Sequence, residues 1–280
     1  MHLIEDYVQS FFNQHQNELK QHYAGLSSQI LLDSFIKYSG KHKGDYLGTC
    51  DHQFFDEVLL AKPLEYINEE KFFFRSPFYV NPDVLIPRNE TEILVEDSIN
   101  YILKNYHPNF SVAEVGVGSF ALGLSILIDV KNPIHFWGGD LCEKALKVAS
   151  VNQFKLSSKI NPESKIELKV SDRLAQTSRQ YDLIVSNPPY IREKDQTLVH
   201  DSVHNAEPHL ALYLADDIYI EWFSSFFDEV HEHLKDNGAF LMEGHEDTLE
   251  ELKQMAQMKF ANVMIKQDYT GRNRFLHCYK

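Results

Sequence analysis

From residue 111 onward the chain alternates short apolar segments with longer helical ones, and this alternation restricts the fold more than any other feature. Segments 112–115, 134–137, 166–170, 182–186 and 239–242 have the length and apolar content of strands. Segments 120–130, 143–154, 218–234 and 247–258 lie among them and read as helices. Such a series builds a doubly wound α/β sheet of largely parallel strands with helices on its faces. Leu183, Ile184 and Val185 are apolar in succession, which predicts a central strand buried on both sides. Segments 263–266 and 275–279 close the chain as strands joined by a turn near Gly271. A connection that short makes them antiparallel to each other.

The part before this series has another texture. Leu3, Tyr7, Val8, Phe11 and Phe12 recur at helical spacing, as do Ile30, Leu31, Phe35 and Ile36. Gly40, Gly44 and Gly48 punctuate the next stretch, and a helix over 54–61 ends before Pro63. The aromatic, β-branched segment 72–80 predicts a strand or hairpin. Asn89 is expected to cap a helix with Glu90 and Glu92 in its first turn and an apolar stripe of Val95, Ile99, Ile102 and Leu103. The expected organisation is a helical substrate-recognition domain over 1–70, a hairpin and helix connection over 71–110, and a Rossmann-like domain over 111–280.

Composition narrows the function. The net charge of −14 over 280 residues, with no Lys/Arg run, disfavours nucleic acid as a direct substrate, because phosphates must be met by clustered cations. A basic protein surface or a small substrate suits an acidic chain better. Glu5 and Asp6 stand where a signal peptide carries its basic region. The longest apolar run, 120–128, is broken by Gly123 and Ser125 and falls short of the ~20 residues a membrane span needs. Cys50, Cys142 and Cys278 are odd in number and far apart, as reduced thiols of a cytoplasmic protein are. The histidines show no ligand spacing, so no metal site is expected.

Two constellations carry chemistry. Glu114-Val115-Gly116-Val117-Gly118-Ser119 follows the first strand of the series and opens a helix. Gly116 and Gly118 allow a tight turn and a close backbone approach to a ligand. Asp140 ends the second strand, where a carboxylate accepts hydrogen bonds from a ribose diol. Glu114 would repel a pyrophosphate and attract an ammonium group, which favours S-adenosylmethionine over a dinucleotide. The second constellation, Asn187-Pro188-Pro189-Tyr190, stands at the carboxyl end of segment 182–186, the edge where open α/β sheets bind ligands. Two prolines stiffen the turn. The Asn187 side-chain oxygen and the Pro188 carbonyl can accept from one planar NH₂ group, with Tyr190 as a wall beside it.

Together these motifs resemble class I S-adenosylmethionine-dependent methyltransferases that act on amides or exocyclic amines. The resemblance is to the HemK/PrmC family, which methylates a glutamine side chain in peptide-chain release factors. It extends from Pro63 to the C-terminus. It is carried also by Pro63-Leu64-Glu65-Tyr66-Ile67, by Val84-Leu85-Ile86-Pro87-Arg88-Asn89-Glu90-Thr91-Glu92, and by Glu207-Pro208-His209-Leu210-Ala211-Leu212. The resemblance implies a cofactor site of Glu114, Gly116, Val117, Gly118, Ser119, Phe120, Asp140 and Leu141, with Asp172 and Arg173 where the family contacts adenine. It implies that Asn187 and Pro188 hold the glutamine carboxamide, Asn187 facing the cofactor as well. Pro189 and Tyr190 complete the catalytic loop, and Arg88 and Glu90 join the substrate site. Arg88 and Tyr190 are expected to orient rather than transfer protons.

The chain departs from the family pattern around these pockets. Phe120 stands where a third glycine is usual, Asn89 replaces a proline, and Asn68 a glycine. Leu214-Ala215-Asp216-Asp217-Ile218 replaces a glycine-rich run, and Ala206 an aromatic. Three readings therefore stand. The first is a methyltransferase for the Gly-Gly-Gln loop of a release factor. The second is an enzyme of the same fold with another planar NH₂ acceptor: a ribosomal-protein glutamine, a small amide or amine, or adenine. The third, motivated by Phe120, is a degenerate binding protein that keeps the fold.

Overall fold

A computed structural model describes residues 2–42 and 49–280, excepting the side chains of 42 and 49–51. In chain order, helices α1 (His2–Gln14), α2 (Gln16–His22), α3 (Ser28–His42), α4 (Thr49–Leu59) and α5 (Leu64–Ile67) come first. Strands β1 (Lys71–Phe73) and β2 (Ser76–Phe78) and helix α6 (Thr91–Asn105) follow. The alternating series is β3 (Ser111–Val115), α7 (Ala121–Asp129), β4 (His135–Asp140), α8 (Glu143–Leu156), β5 (Lys165–Val170) and β6 (Tyr181–Ser186). After it come β7 (Ile191–Arg192), α9 (Asp201–His204), α10 (His209–Leu212) and β8 (Tyr213–Leu214). The chain closes with α11 (Tyr219–His233), β9 (Leu234–Glu243), α12 (Leu249–Ala256), β10 (Asn262–Gln267) and β11 (Asn273–Tyr279).

Two compact units result, Met1–Glu70 with Thr197–Glu207, and Lys71–Gln196 with Pro208–Lys280. In the first, the helical stripes meet in a core of Val8, Leu19, Leu31, Phe35, Phe54 and Val58. Gly40, expected to break the chain, lies inside α3; Gly44 and Gly48 fall outside the described residues.

The second unit holds a seven-stranded sheet in the order β10-β11-β9-β6-β3-β4-β5. The pairs among β9, β6, β3, β4 and β5 are parallel, while β11 runs antiparallel to both β9 and β10. The expected antiparallel pair at the C-terminus is therefore present, turning at Gly271 with φ 85°. Every residue of β3 and β6 is buried, as two-sided burial requires. The pleat still sorts them. Val112, Leu183, Val185 and Leu241 face α6, α7 and α8, while Ala113, Val115, Ile184, Phe240 and Met242 face α11 and α12. Glu114 shares a face with Val112 and so points under α7.

The expected β1–β2 hairpin is antiparallel, pairing Phe72 with Pro77. At α6 the expectation of an Asn89 cap is corrected. Glu90 precedes the helix, with no side-chain cap, and it is the Asn89 backbone carbonyl that accepts, from the Glu92 N–H at 3.1 Å. An N-terminal turn closed by main-chain bonds leaves the asparagine side chain nothing to cap. Among the described residues no helix is long and apolar enough to cross a membrane.

Candidate active site

Four parallel strands end on one edge of the sheet, and each delivers its next residues into one cleft. β3 delivers Glu114 and the loop Gly116–Val117–Gly118–Ser119; β4 delivers Asp140 and Leu141; β5 delivers Asp172 and Arg173; β6 delivers Asn187, Pro188 and Pro189. All twelve of these sequence-chosen residues line that cleft. Phe120, Tyr190, Arg88 and Glu90 are not among its lining residues.

The glycine loop is built from its own backbone. Gly116 and Gly118 have φ of 77° and 50°, left-handed values that glycine adopts without a Cβ penalty. The Gly116 N–H donates to the Gly139 carbonyl at 2.8 Å. Asn152 fixes the far side of the loop, donating from Nδ2 to the Ser119 and Tyr79 carbonyls, each at 2.9 Å. Asp140 accepts from the Gly118 N–H and from the Cys142 N–H, each at 2.8 Å, so in this structure it braces the loop. Burial raises the Asp140 carboxyl above its ordinary range, against the pull of those two N–H groups. Each oxygen keeps a second lone pair for a ribose hydroxyl.

Phe120 also has positive φ, 66°, and caps α7 without a side-chain bond. Its ring is fully buried and packs 5.2 Å from the Phe136 ring. It occupies the core beneath the loop instead of the cofactor site. Gly123 makes the room. A Cβ there would stand 2.4 Å from Phe120 Cε2, 2.5 Å from Phe136 Cζ and 2.3 Å from Glu114 Oε2. Gly123→Ala is accordingly expected to lower unfolding stability by about 1–3 kcal/mol through overpacking. An unhindered Gly-to-Ala change in a helix would gain up to ~1 kcal/mol. Equilibrium denaturation reads the sign.

Glu114 is 2% exposed, and its Oε2 has no hydrogen-bond partner among the described residues. Burial pushes its carboxyl well above the usual range; the Gly123 N–H counters this in part, and the charge of Asp140 adds to it. A buried acceptor left unpaired costs about 1–3 kcal/mol, more when ionised. An ammonium group in the cleft would relieve that cost, so the residues fit the methionine end of S-adenosylmethionine. At the β5 end, Arg173 donates from Nη1 to Ser225 Oγ at 2.8 Å, and its Nε lies 3.1 Å from Glu229 Oε2. The exposed Asp172 carboxylate stands beside it, 3.7 Å from the same Nε.

At the other end the Asn-Pro-Pro-Tyr turn is anchored to two residues that the sequence did not single out as functional. Asn187 Nδ2 donates to Thr91 Oγ1 at 3.2 Å, and Thr91 Oγ1 donates to Glu243 Oε2 at 2.6 Å. The Tyr190 hydroxyl donates to Glu243 Oε1 at 3.0 Å. Tyr190 is thus tied down by its oxygen, with its ring against the core layer under α11 and α12. Burial raises its hydroxyl far above the ordinary range, and the Glu243 charge raises it further. Glu243 is 1% exposed; burial raises its carboxyl despite the bonds from Thr91 and Tyr190 and the Arg274 charge. Arg88 and Glu90 lie near enough for their charges to act on Tyr190 and Glu243 respectively. The available signal for Glu243 is an acid at the carboxyl end of an apolar strand, a place Glu114 and Asp140 also take.

Comparison with known proteins gives a consistent result. A family model described as the methyltransferase small domain matches residues 94–212. The chain is 33% identical over 217 residues to the release factor glutamine methyltransferase of Flavobacterium psychrophilum, covering 77% of this chain and 74% of that protein. It is 35% identical over 221 residues to the release factor glutamine methyltransferase of Fusobacterium nucleatum subsp. nucleatum, covering 77% of this chain and 59% of that protein. Among solved structures it is similar to the catalytic domain of hMettl16 in complex with the MAT2A 3′UTR hairpin 6. That match has a TM-score of 0.55 and 13% identity and covers 72% of this chain and 74% of that one. At such identity it speaks to the fold alone.

Proposed function

The chain belongs to the family of release factor glutamine methyltransferases, and on that premise we propose that it methylates the side-chain amide nitrogen of glutamine in the Gly-Gly-Gln loop of a peptide-chain release factor. When bound, S-adenosylmethionine supplies a methyl group on a sulfonium centre, an electrophile for a nitrogen lone pair. The observation that carries the reading is Asn187, held by Thr91 in the same cleft as Glu114 and Asp140.

The residues then divide the work. Glu114 binds the cofactor's ammonium group, Gly116 and Gly118 let the backbone approach it, and Asp140 holds the ribose while bracing the loop. Leu141, Asp172 and Arg173 flank the base. Asn187 Oδ1 and the Pro188 carbonyl accept the two N–H bonds of the glutamine amide. An amide nitrogen is a poor nucleophile, because its lone pair is delocalised. Two fixed acceptors orient that lone pair and stabilise the positive charge that develops on nitrogen. Pro189 stiffens the turn and Tyr190 anchors its end, while Arg88 and Glu90 border the substrate side. Phe120, the residue that motivated a non-enzymatic reading, leaves the cleft free.

The helical unit is assigned to recognition of the protein partner in the cytoplasm. The net charge of −14 suits a basic surface on that partner. Mass spectrometry of a release factor incubated with the protein and S-adenosylmethionine tests the reading. One added methyl on the glutamine of the Gly-Gly-Gln loop is expected. No methyl at saturating cofactor would overturn it.

A further inference from the structure

Glu243 holds the catalytic turn at both of its ends. It accepts directly from Tyr190, the last residue of the turn, and through Thr91 it reaches Asn187, the first. The sheet register places it there. Ser186 of β6 pairs with Met242 of β9, so the next residues, Asn187 just past β6 and Glu243 at the end of β9, stand side by side.

The polarity of this chain of bonds is fixed by proton counting. Glu243 Oε2 accepts from the Thr91 hydroxyl, whether the carboxyl is ionised or carries a proton on Oε1. Thr91 has a single hydroxyl proton, and the 2.6 Å bond to Glu243 Oε2 uses it. Thr91 Oγ1 can therefore only accept from Asn187, and the group that reaches it must be the Asn187 NH₂. The two ends of a carboxamide have nearly the same shape, so packing alone does not choose between them. Here the choice is made by the Glu243 carboxyl two hydrogen bonds away. We propose that Glu243, acting through Thr91, is the positioning device that turns Asn187 Oδ1, and not its NH₂, toward the substrate nitrogen. With the amide reversed, an N–H donor would face the N–H bonds of the substrate. The proposal rests on the functional reading above and assigns Thr91 and Glu243 roles that act through Asn187.

The test uses Thr91→Val, which keeps the shape and removes the hydroxyl, beside Thr91→Ser, which restores it. Thr91→Val is expected to lower kcat for release-factor methylation by about 10- to 100-fold, the scale of a misplaced catalytic contact. The KM for the release factor and the Kd for S-adenosylmethionine are expected to stay within about threefold, because ground-state binding is shared by many other groups. Thr91→Ser is expected to recover kcat to within about threefold of the parent. Side-chain amide NMR reads the same device without turnover. Exchange of the Asn187 Nδ2 protons is expected to quicken at least about tenfold in Thr91→Val and to stay slow in Thr91→Ser. Unchanged exchange, unchanged kcat, or equal defects in the two variants would overturn the proposal. If the parent protein binds cofactor but leaves the release factor unmethylated, the functional reading falls, and the exchange measurement still decides this one.

Discussion

Asn187→Ala is expected to lower kcat for glutamine methylation by at least about 100-fold, while the Kd for S-adenosylmethionine stays within about threefold. Removing one preorganised partner of a developing charge typically costs 10²–10³ in rate. The scaffold around the change is retained. Ser186 Oγ still donates to the Val115 carbonyl at 2.8 Å, Pro188 and Pro189 still restrict the turn, and Tyr190 still bonds to Glu243. Thr91 keeps its bond to Glu243 and loses only a donor, so the cost in stability is small beside the loss in rate. Single-turnover kinetics with pre-bound cofactor separate the chemical step from binding. A cofactor affinity that falls by the same factor as kcat would make Asn187 a cofactor residue instead. A kcat within tenfold of the parent would remove it from the chemistry.

The sequence made the strand series legible because the apolar runs of β3, β6 and β9 are dictated by two-sided burial, a local signal. The cleft was legible for the same reason: loops that follow parallel strands must emerge on one edge, which brings Glu114, Asp140, Asp172 and Asn187 together from the strand order alone. Phe120 could not be placed. Whether its ring turns into the cleft or the core depends on Gly123 one helical turn on and on Phe136 in the next strand, which leave it a slot. Glu243 and Thr91 escaped for a different reason. Each looked ordinary in its own element, an acid at the end of a strand and a threonine opening a helix. What joins them to Asn187 is the adjacency and register of β9 and β6, a long-range pairing with no local signature. The short β7–β8 pair, Ile191 with Tyr213 and Arg192 with Leu214, was missed likewise, since two residues carry no periodicity.

Glu114→Gln is expected to raise the thermal unfolding midpoint near neutral pH and to weaken S-adenosylmethionine binding by about 30- to 100-fold, so that stability and function move in opposite directions. The sign follows from proton linkage. Burial places the folded-state carboxyl well above its unfolded value, so the folded protein binds the extra proton. Stability is therefore full below the unfolded value and falls as pH rises from there through the folded one. Glutamine fills the same space without a charge to desolvate and so escapes that loss. Binding reverses the preference. An ammonium group beside Glu114 Oε2 favours the carboxylate, so cofactor uptake expels a proton and affinity rises with pH across the same window. The variant keeps neither the attraction nor the coupling; a hydrogen bond to a charged partner is worth about 1.5–3 kcal/mol, which sets the expected loss. Calorimetry in two buffers of different ionisation enthalpy counts the protons directly. Proton release by the parent and none by Glu114→Gln is the expected pair. Equal release from both proteins, or cofactor affinities within threefold of each other, would show that the ammonium group is held elsewhere in the cleft.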